Sequence, residues 1–154
     1  MTLSVGDKAP AFKVEDQHGD VKTNKDFAGA PYVIYFYPKA DTPGCTTQSC
    51  ALSEAEADLS SLNASVIGVS PDSVAKQKKF DDKYSLGFTL LADEDHAVAE
   101  SYDVWGEKSL YGKKYFGIIR SAFVVDAKGK IAGAFYKVSP KDTVPNVVEV
   151  LKTL

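Results

Sequence analysis

The sequence predicts an α/β protein built in layers, with strands and helices alternating before an antiparallel hairpin and a closing helix. Three observations carry that. Tyr32-Val-Ile-Tyr-Phe-Tyr37 is apolar or aromatic throughout, the pattern of a strand covered on both faces by helices. Ser65-Val-Ile-Gly-Val69 is a second run of that kind. Between them Leu52, Ala55, Leu59 and Leu62 recur at helical spacing.

Taken in order, residues 3–11 carry Gly6 and Pro10 and read as an irregular lead-in. Phe12-Lys-Val14 and Val21-Lys-Thr23 flank Gln17-His18-Gly19-Asp20, which is hairpin chemistry. After the second buried strand, Ser70-Pro71-Asp72 offers a serine cap, a proline at the first helical position and an acid in the first turn. This predicts a helix over roughly 72–84. Phe88-Thr-Leu-Leu91 reads as a short strand and Asp95 to Tyr102 as a short helix. Trp105 to Gly117 is rich in Gly, Lys and aromatics without a clear period, and reads as a long loop. Ile118 to Val125 and Ile131 to Tyr136 flank Asp126-Ala-Lys-Gly129-Lys, a hairpin with glycine where a positive φ is wanted. Asn146 to Leu154 closes the chain as a helix, with Pro145 tolerated near its start.

At 154 residues, 44% apolar and 25% charged, the chain fits one globular domain spanning 1–154, with no repeat or linker. A net charge of −3 argues against nucleic acid or anionic membrane as partner, and the lysine runs at 76–79 and 113–114 read as solvated faces. The N-terminus lacks a signal-peptide pattern, and no apolar run approaches the roughly 18 residues of a membrane span. The expected setting is cytoplasmic, where a purely structural disulfide is out of place.

Both cysteines lie in Tyr37-Pro-Lys-Ala-Asp-Thr-Pro-Gly-Cys-Thr-Thr-Gln-Ser-Cys50, which reads as strand end, turn and first turns of a helix. Seven residues before Leu52, Cys45 falls on the core-facing stripe. There it meets unpaired backbone N–H groups and the positive end of the helix dipole, both of which favour thiolate. The competing reading is a core cysteine. Cys50, five residues on, lies about 140° around the helix and faces largely away. Pro43 fixes the turn, Gly44 lets backbone approach a ligand closely, and Thr42 offers a hydroxyl three residues before the sulfur, for the site or simply for the turn.

Arg120 is the only arginine in the chain. It falls inside the predicted strand 118–125, on the face of Ile118, Ala122 and Val124. A guanidinium there needs an anionic or hydrogen-bonding partner, either the Cys45 thiolate and a substrate oxygen or a structural carboxylate. His18 and His96 make no ligand spacing with the cysteines, so no metal site is expected. The glycines form neither a P-loop nor a dinucleotide fingerprint, and no His and Asn or Asp are placed to support a cysteine protease.

Pro38-Lys-Ala-Asp-Thr42-Pro-Gly-Cys45 resembles the Pro-x-x-x-Thr-x-x-Cys motif of peroxiredoxins. Together with Cys45-Thr-Thr-Gln-Ser-Cys50, Phe88-Thr-Leu-Leu-Ala-Asp-Glu-Asp-His96, Val104-Trp-Gly-Glu-Lys108 and Gly117-Ile-Ile-Arg120, it resembles the bacterioferritin comigratory protein, or peroxiredoxin Q, branch. The resemblance implies a thioredoxin-like fold, with a central mixed β-sheet flanked by helices and an N-terminal β-hairpin. It also implies a monomeric thiol peroxidase for hydrogen peroxide and organic hydroperoxides that needs no cofactor beyond its cysteine pair. In that reading Cys45 is the peroxidatic cysteine and Cys50 the resolving one, paired as a Cys45–Cys50 disulfide that thioredoxin reduces. Thr42 and Arg120 orient the peroxide, Pro38 shields the thiolate, and Gly44 lies in the substrate-binding turn. Two positions depart from the pattern: Gln48 stands where a glutamate is common, and Ser53 where an arginine is common. A thiol–disulfide oxidoreductase on the same fold and a redox sensor are the alternatives, the first disfavoured because the spacing is not Cys-x-x-Cys.

Overall fold

The computed structural model describes residues 2–154, the side chain of residue 110 excepted. Its centre is a five-stranded mixed sheet in the order β5-β4-β3-β8-β9. The middle strand, β3 (Tyr32–Phe36), pairs in parallel with β4 (Ser65–Ser70) and antiparallel with β8 (Ser121–Val125). Outside them lie β5 (Thr89–Ala92), parallel to β4, and β9 (Ile131–Phe135), antiparallel to β8. Every residue of β3 is at most 3% exposed, as an unalternating apolar run requires.

Alternation along β3 divides the core. Tyr32, Ile34 and Phe36 join Phe123, Val98 and Tyr102 on one face of the sheet. Val33, Tyr35 and Tyr37 join Leu52, Phe80 and Val147 on the other. The second face is covered by α1 (Pro43–Glu54), α3 (Val74–Tyr84) and α5 (Thr143–Leu151). The first carries α4 (Ala97–Ser101). The N-terminal hairpin, β1 (Lys13–Glu15) with β2 (Val21–Thr23), joins the sheet edge through an Asp16–Leu91 bridge. The Gln17 side chain fixes it there, donating to the Phe88 carbonyl and accepting from Leu90 N–H.

Four expectations need correction. The helix after the cysteine turn is not continuous: Ala55 separates α1 from α2 (Glu56–Ser61), although Leu52 and Leu59 both reach the core. The cap of α3 is Ser73, whose Oγ accepts from Lys76 N–H, because Ser70 ends β4 and donates to buried Asp72 instead. The closing helix starts earlier than Asn146, at Thr143. Most consequentially, residues 105–118 are not a loop. They form an antiparallel ribbon, β6 (Trp105–Leu110) with β7 (Lys113–Ile118), turning at Tyr111-Gly112, where both residues have positive φ. The predicted strand 118–125 is consequently cut in two: Ile118 ends β7 and packs in the first core cluster, and Arg120 sits in the break before β8.

Candidate active site

Each side chain of the site is placed by local structure. Tyr37, with its N–H on the Val69 carbonyl, ends the buried run, and Pro38 turns the chain out half-buried. Asp72 holds the turn in place. Its carboxylate accepts from Ala40 N–H at 2.7 Å and from the Ser70 hydroxyl at 2.7 Å. Thr42 is the N-cap residue of α1, with extended backbone and Pro43 following at the first helical position. Its hydroxyl donates to the Lys39 carbonyl at 2.8 Å.

Cys45 therefore sits in the first turn of a twelve-residue helix and is 1% exposed. Arg120 reaches it from the β7–β8 break. One guanidinium nitrogen, Nη2, lies 3.4 Å from Cys45 Sγ, and the other, Nη1, donates to Gln48 Oε1 at 2.8 Å. Gln48, fully buried one turn along α1, donates onward to Thr143 Oγ1 at 3.0 Å. Thr143 in turn donates to the Ser139 carbonyl at 2.9 Å. The planar guanidinium is thus held by a hydrogen-bonded chain of uncharged side chains reaching into α5, and its charge meets the sulfur at a helix N-terminus.

Gly44 has a role here that spacing did not suggest. A Cβ at that position would lie 3.0 Å from Arg120 Nη2 and 3.6 Å from its Cζ, so the glycine makes room for the arginine. Beneath the helix, the Tyr35 hydroxyl bonds the Ser49 hydroxyl at 2.7 Å, and burial pushes the Tyr35 phenol far above its usual range. Both cysteines are free thiols. Cys50 is partly buried against the same apolar cluster that holds Cys45, and so is less outward than its angular offset suggests. Burial pushes the Cys50 thiol up, and the charge of Glu54 adds to the effect.

Sequence reasoning missed one cation. Lys108 folds back along β7, where Gly117 leaves space for its stem, and its Nζ donates to the Ile118 carbonyl at 2.9 Å. Partial burial lowers its pKa, the charge of Arg120 lowers it further, and Cys45 pulls it back up. Lys108 was read only as part of the Trp-Gly-Glu-Lys run. Ser53, the second departure from the family pattern, donates to the Leu86 carbonyl at 2.9 Å. Among the described residues no cluster of potential metal ligands occurs, and no helix is long and apolar enough to cross a membrane.

A mixed sheet of this order, with a buried cysteine opening the helix after its central strand, defines a thioredoxin-like protein. The comparisons narrow the class: the AhpC/TSA family pattern matches residues 5–134, and the chain belongs to that family, in its Bcp and peroxiredoxin Q branch of peroxidases. It is 42% identical to the peroxiredoxin Bcp of Bacillus subtilis over 154 residues, covering all of this chain and 98% of the relative. Among solved structures, a mutant of Xylella fastidiosa PrxQ superposes with a TM-score of 0.92 at 29% identity, covering 99% of this chain and 98% of that one. The Xanthomonas campestris bacterioferritin comigratory protein, studied for alkyl peroxide reduction, has a TM-score of 0.87 at 34% identity, with 92% and 90% covered.

Proposed function

We propose that this chain is a thiol peroxidase that reduces hydrogen peroxide and organic hydroperoxides to water and alcohols, with Cys45 as the attacking sulfur. The observation that carries the reading is the Arg120 guanidinium 3.4 Å from Cys45 Sγ at a helix N-terminus. Alkyl peroxide reduction by the Xanthomonas campestris relative supports the substrate class. The thiolate attacks the terminal peroxide oxygen and the O–O bond breaks. The other oxygen leaves as water or alcohol after taking a proton, and sulfur, oxidised by two electrons, becomes a sulfenic acid. Arg120 stabilises charge on the peroxide oxygens. The Thr42 hydroxyl, donating to Lys39, keeps lone pairs free to accept from a peroxide O–H. Pro38 limits solvent at the sulfur, and Gly44 keeps the guanidinium close.

Cys50 then attacks the sulfenic sulfur, water leaves, and a Cys45–Cys50 disulfide forms, which a thioredoxin-type dithiol returns to two thiols by exchange. The protein works as a monomer in the cytoplasm and needs no further cofactor. Cα atoms five residues apart in an intact helix are roughly 8–9 Å apart, and a disulfide seldom spans more than about 7 Å, so oxidation unwinds residues 42–52. Two measurements test this. Cys45→Ser abolishes peroxide-dependent oxidation of a coupled thioredoxin system, while Cys50→Ser permits one turnover and stalls. Hydrogen exchange over 42–52 is faster in the disulfide form; equal protection in both forms refutes the unwinding.

A further inference from the structure

The β6–β7 ribbon stands apart from the five-stranded sheet. It forms its own two-stranded sheet, so the outer backbone edges of both strands are unpaired by any other strand. An isolated ribbon of this kind is marginally stable in water unless something holds it. Its root is held: Ile118 is buried, Ile119 N–H bonds the Val104 carbonyl, and Trp105 stacks on His96 at 3.7 Å. Its outer part is not. Tyr111 is 96% exposed, Phe116 65% and Tyr115 44%, three of the six large apolar side chains exposed among the described residues. Clustered exposed aromatics are the composition of a contact surface rather than of a solvated one, and lysines suit its polar rim.

Charge and position narrow the partner. The ribbon carries Lys108, Lys113 and Lys114 against Glu107 alone, a local excess of positive charge on a chain of net −3. Arg120, which touches Cys45, comes two residues after β7 ends, and Lys108 reaches the end of that strand, donating to the Ile118 carbonyl. With six residues per strand, the ribbon reaches about 20 Å out from the rim of the thiol site. A small peroxide does not need a wall of that length. The macromolecule that must come to this site in every cycle is the dithiol that reduces it.

We propose that the β6–β7 ribbon is the docking arm for the protein dithiol reductant, and that it selects a partner whose thiol is ringed by acidic and apolar side chains. The proposal rests on the peroxidase reading above. Phe116, Tyr115 and Tyr111 supply apolar contact, and Lys113 and Lys114 steer the partner. Docked there, the reductant's thiolate attacks Cys50 Sγ of the disulfide, the sulfur on the more accessible residue. The Cys45–Cys50 bond breaks, Cys45 leaves as thiolate, and a mixed disulfide forms. The reductant's second thiol then attacks its own sulfur in that mixed disulfide, releases Cys50, and departs oxidised by two electrons.

The experiment separates the two half-reactions in full-length protein carrying Phe116→Ser, Lys113→Glu and Lys114→Glu. Stopped-flow fluorescence of Trp105 gives the rate constant for oxidation by hydrogen peroxide. The pre-oxidised protein is then reduced by purified bacterial thioredoxin or by dithiothreitol. The expected result is a fall of at least tenfold in the thioredoxin rate constant, with loss of its salt dependence. The peroxide and dithiothreitol rate constants stay within about twofold. An unchanged thioredoxin rate overturns the proposal, and so does an equal loss with both reductants, which makes the ribbon a support of the site. A concentration-dependent dimer in sedimentation that the variant loses, with thioredoxin reduction intact, overturns it in favour of self-association. Wild-type protein that peroxide does not oxidise defeats the peroxidase reading itself and the docking arm with it. If the triple variant does not fold, Tyr111→Ser at the tip gives the same split between reductants or refutes it.

Discussion

The two cysteines share one helix and live under opposite conditions. At the first turn of α1, Cys45 is sealed from solvent, faces a guanidinium, and depends on a glycine for that approach. Five residues on, Cys50 is partly exposed, has Glu54 as its charged neighbour, and is pushed toward the protonated thiol. The difference shows how one short helix can serve two steps of a cycle. In the proposed cycle the first thiol works by being held, in a site preorganised around developing negative charge. The second, in the proposed cycle, works only once the helix lets go.

The largest effect expected from breaking that contrast is at Arg120. Arg120→Lys keeps a positive charge, but one ammonium cannot sit at 3.4 Å from Cys45 Sγ and also hold Gln48 Oε1 at 2.8 Å. Losing one charge-assisted hydrogen bond costs about 1.5–3 kcal/mol, so the rate constant for peroxide oxidation is expected to fall roughly 10- to 100-fold. Stopped-flow oxidation measures it, and a rate constant unchanged in the variant shows that the arginine is structural. The later reaction of Cys50 with the sulfenic acid should be untouched.

Much of this site was legible in the chain because its signals are local. The apolar stripe through Leu52 carries Cys45 inward, and a lone arginine in an apolar run needs a partner. What could not be read depends on distant pairing. Gln48 registered only as a departure from the family pattern, because its partner Thr143 lies 95 residues away and nothing near Gln48 announces it. The fold was legible in the same measure. The central strands stood out because both faces are buried, whereas β7 is exposed along its first four residues and shows no alternation. Only the glycine of the Tyr111-Gly112 turn marked the ribbon, and a single glycine in a lysine-rich segment is weak punctuation. Ser70 misled because serine, proline and acid spell a helix start, while the strand's last hydroxyl was already engaged by Asp72.

Gln48 gives the next prediction. Its amide both accepts from Arg120 and donates to Thr143, whose own proton goes to the Ser139 carbonyl. A glutamate there would set a carboxylate oxygen against a hydroxyl oxygen with no proton left between them. The neutral amide is what this particular pairing with α5 requires. Gln48→Glu is therefore expected to lower stability by about 1–3 kcal/mol in denaturant unfolding. It should also slow peroxide oxidation several-fold, since a carboxylate draws the arginine's charge away from the sulfur. Adding Thr143→Val should recover part of the stability, because the opposing oxygen is then gone. No recovery in the double variant argues against the relay.

The smallest effect concerns Cys50 and pH. Its thiol is held above its ordinary value in the fold, first by burial and then by the charge of Glu54. The folded chain thus keeps a proton that the unfolded chain releases sooner. Wherever the native state binds more protons than the unfolded state, stability falls as pH rises. The window opens at the ordinary thiol range, about 8.5, and runs upward to the raised value. Below that range both states are protonated and the contribution is constant. Reduced wild type should therefore lose more of its melting temperature between about pH 8 and 10 than Cys50→Ser does, and Glu54→Gln should narrow the gap. Tyr35 and Tyr37 also titrate upward of their usual range, but they are common to all three proteins and cancel in the comparison. A gap that stays constant with pH would mean that folding does not perturb Cys50. The reason to expect otherwise is chemical: a thiol that stays neutral in the apolar cluster does not compete for the Arg120 guanidinium, and so leaves it to the Cys45 sulfur it touches.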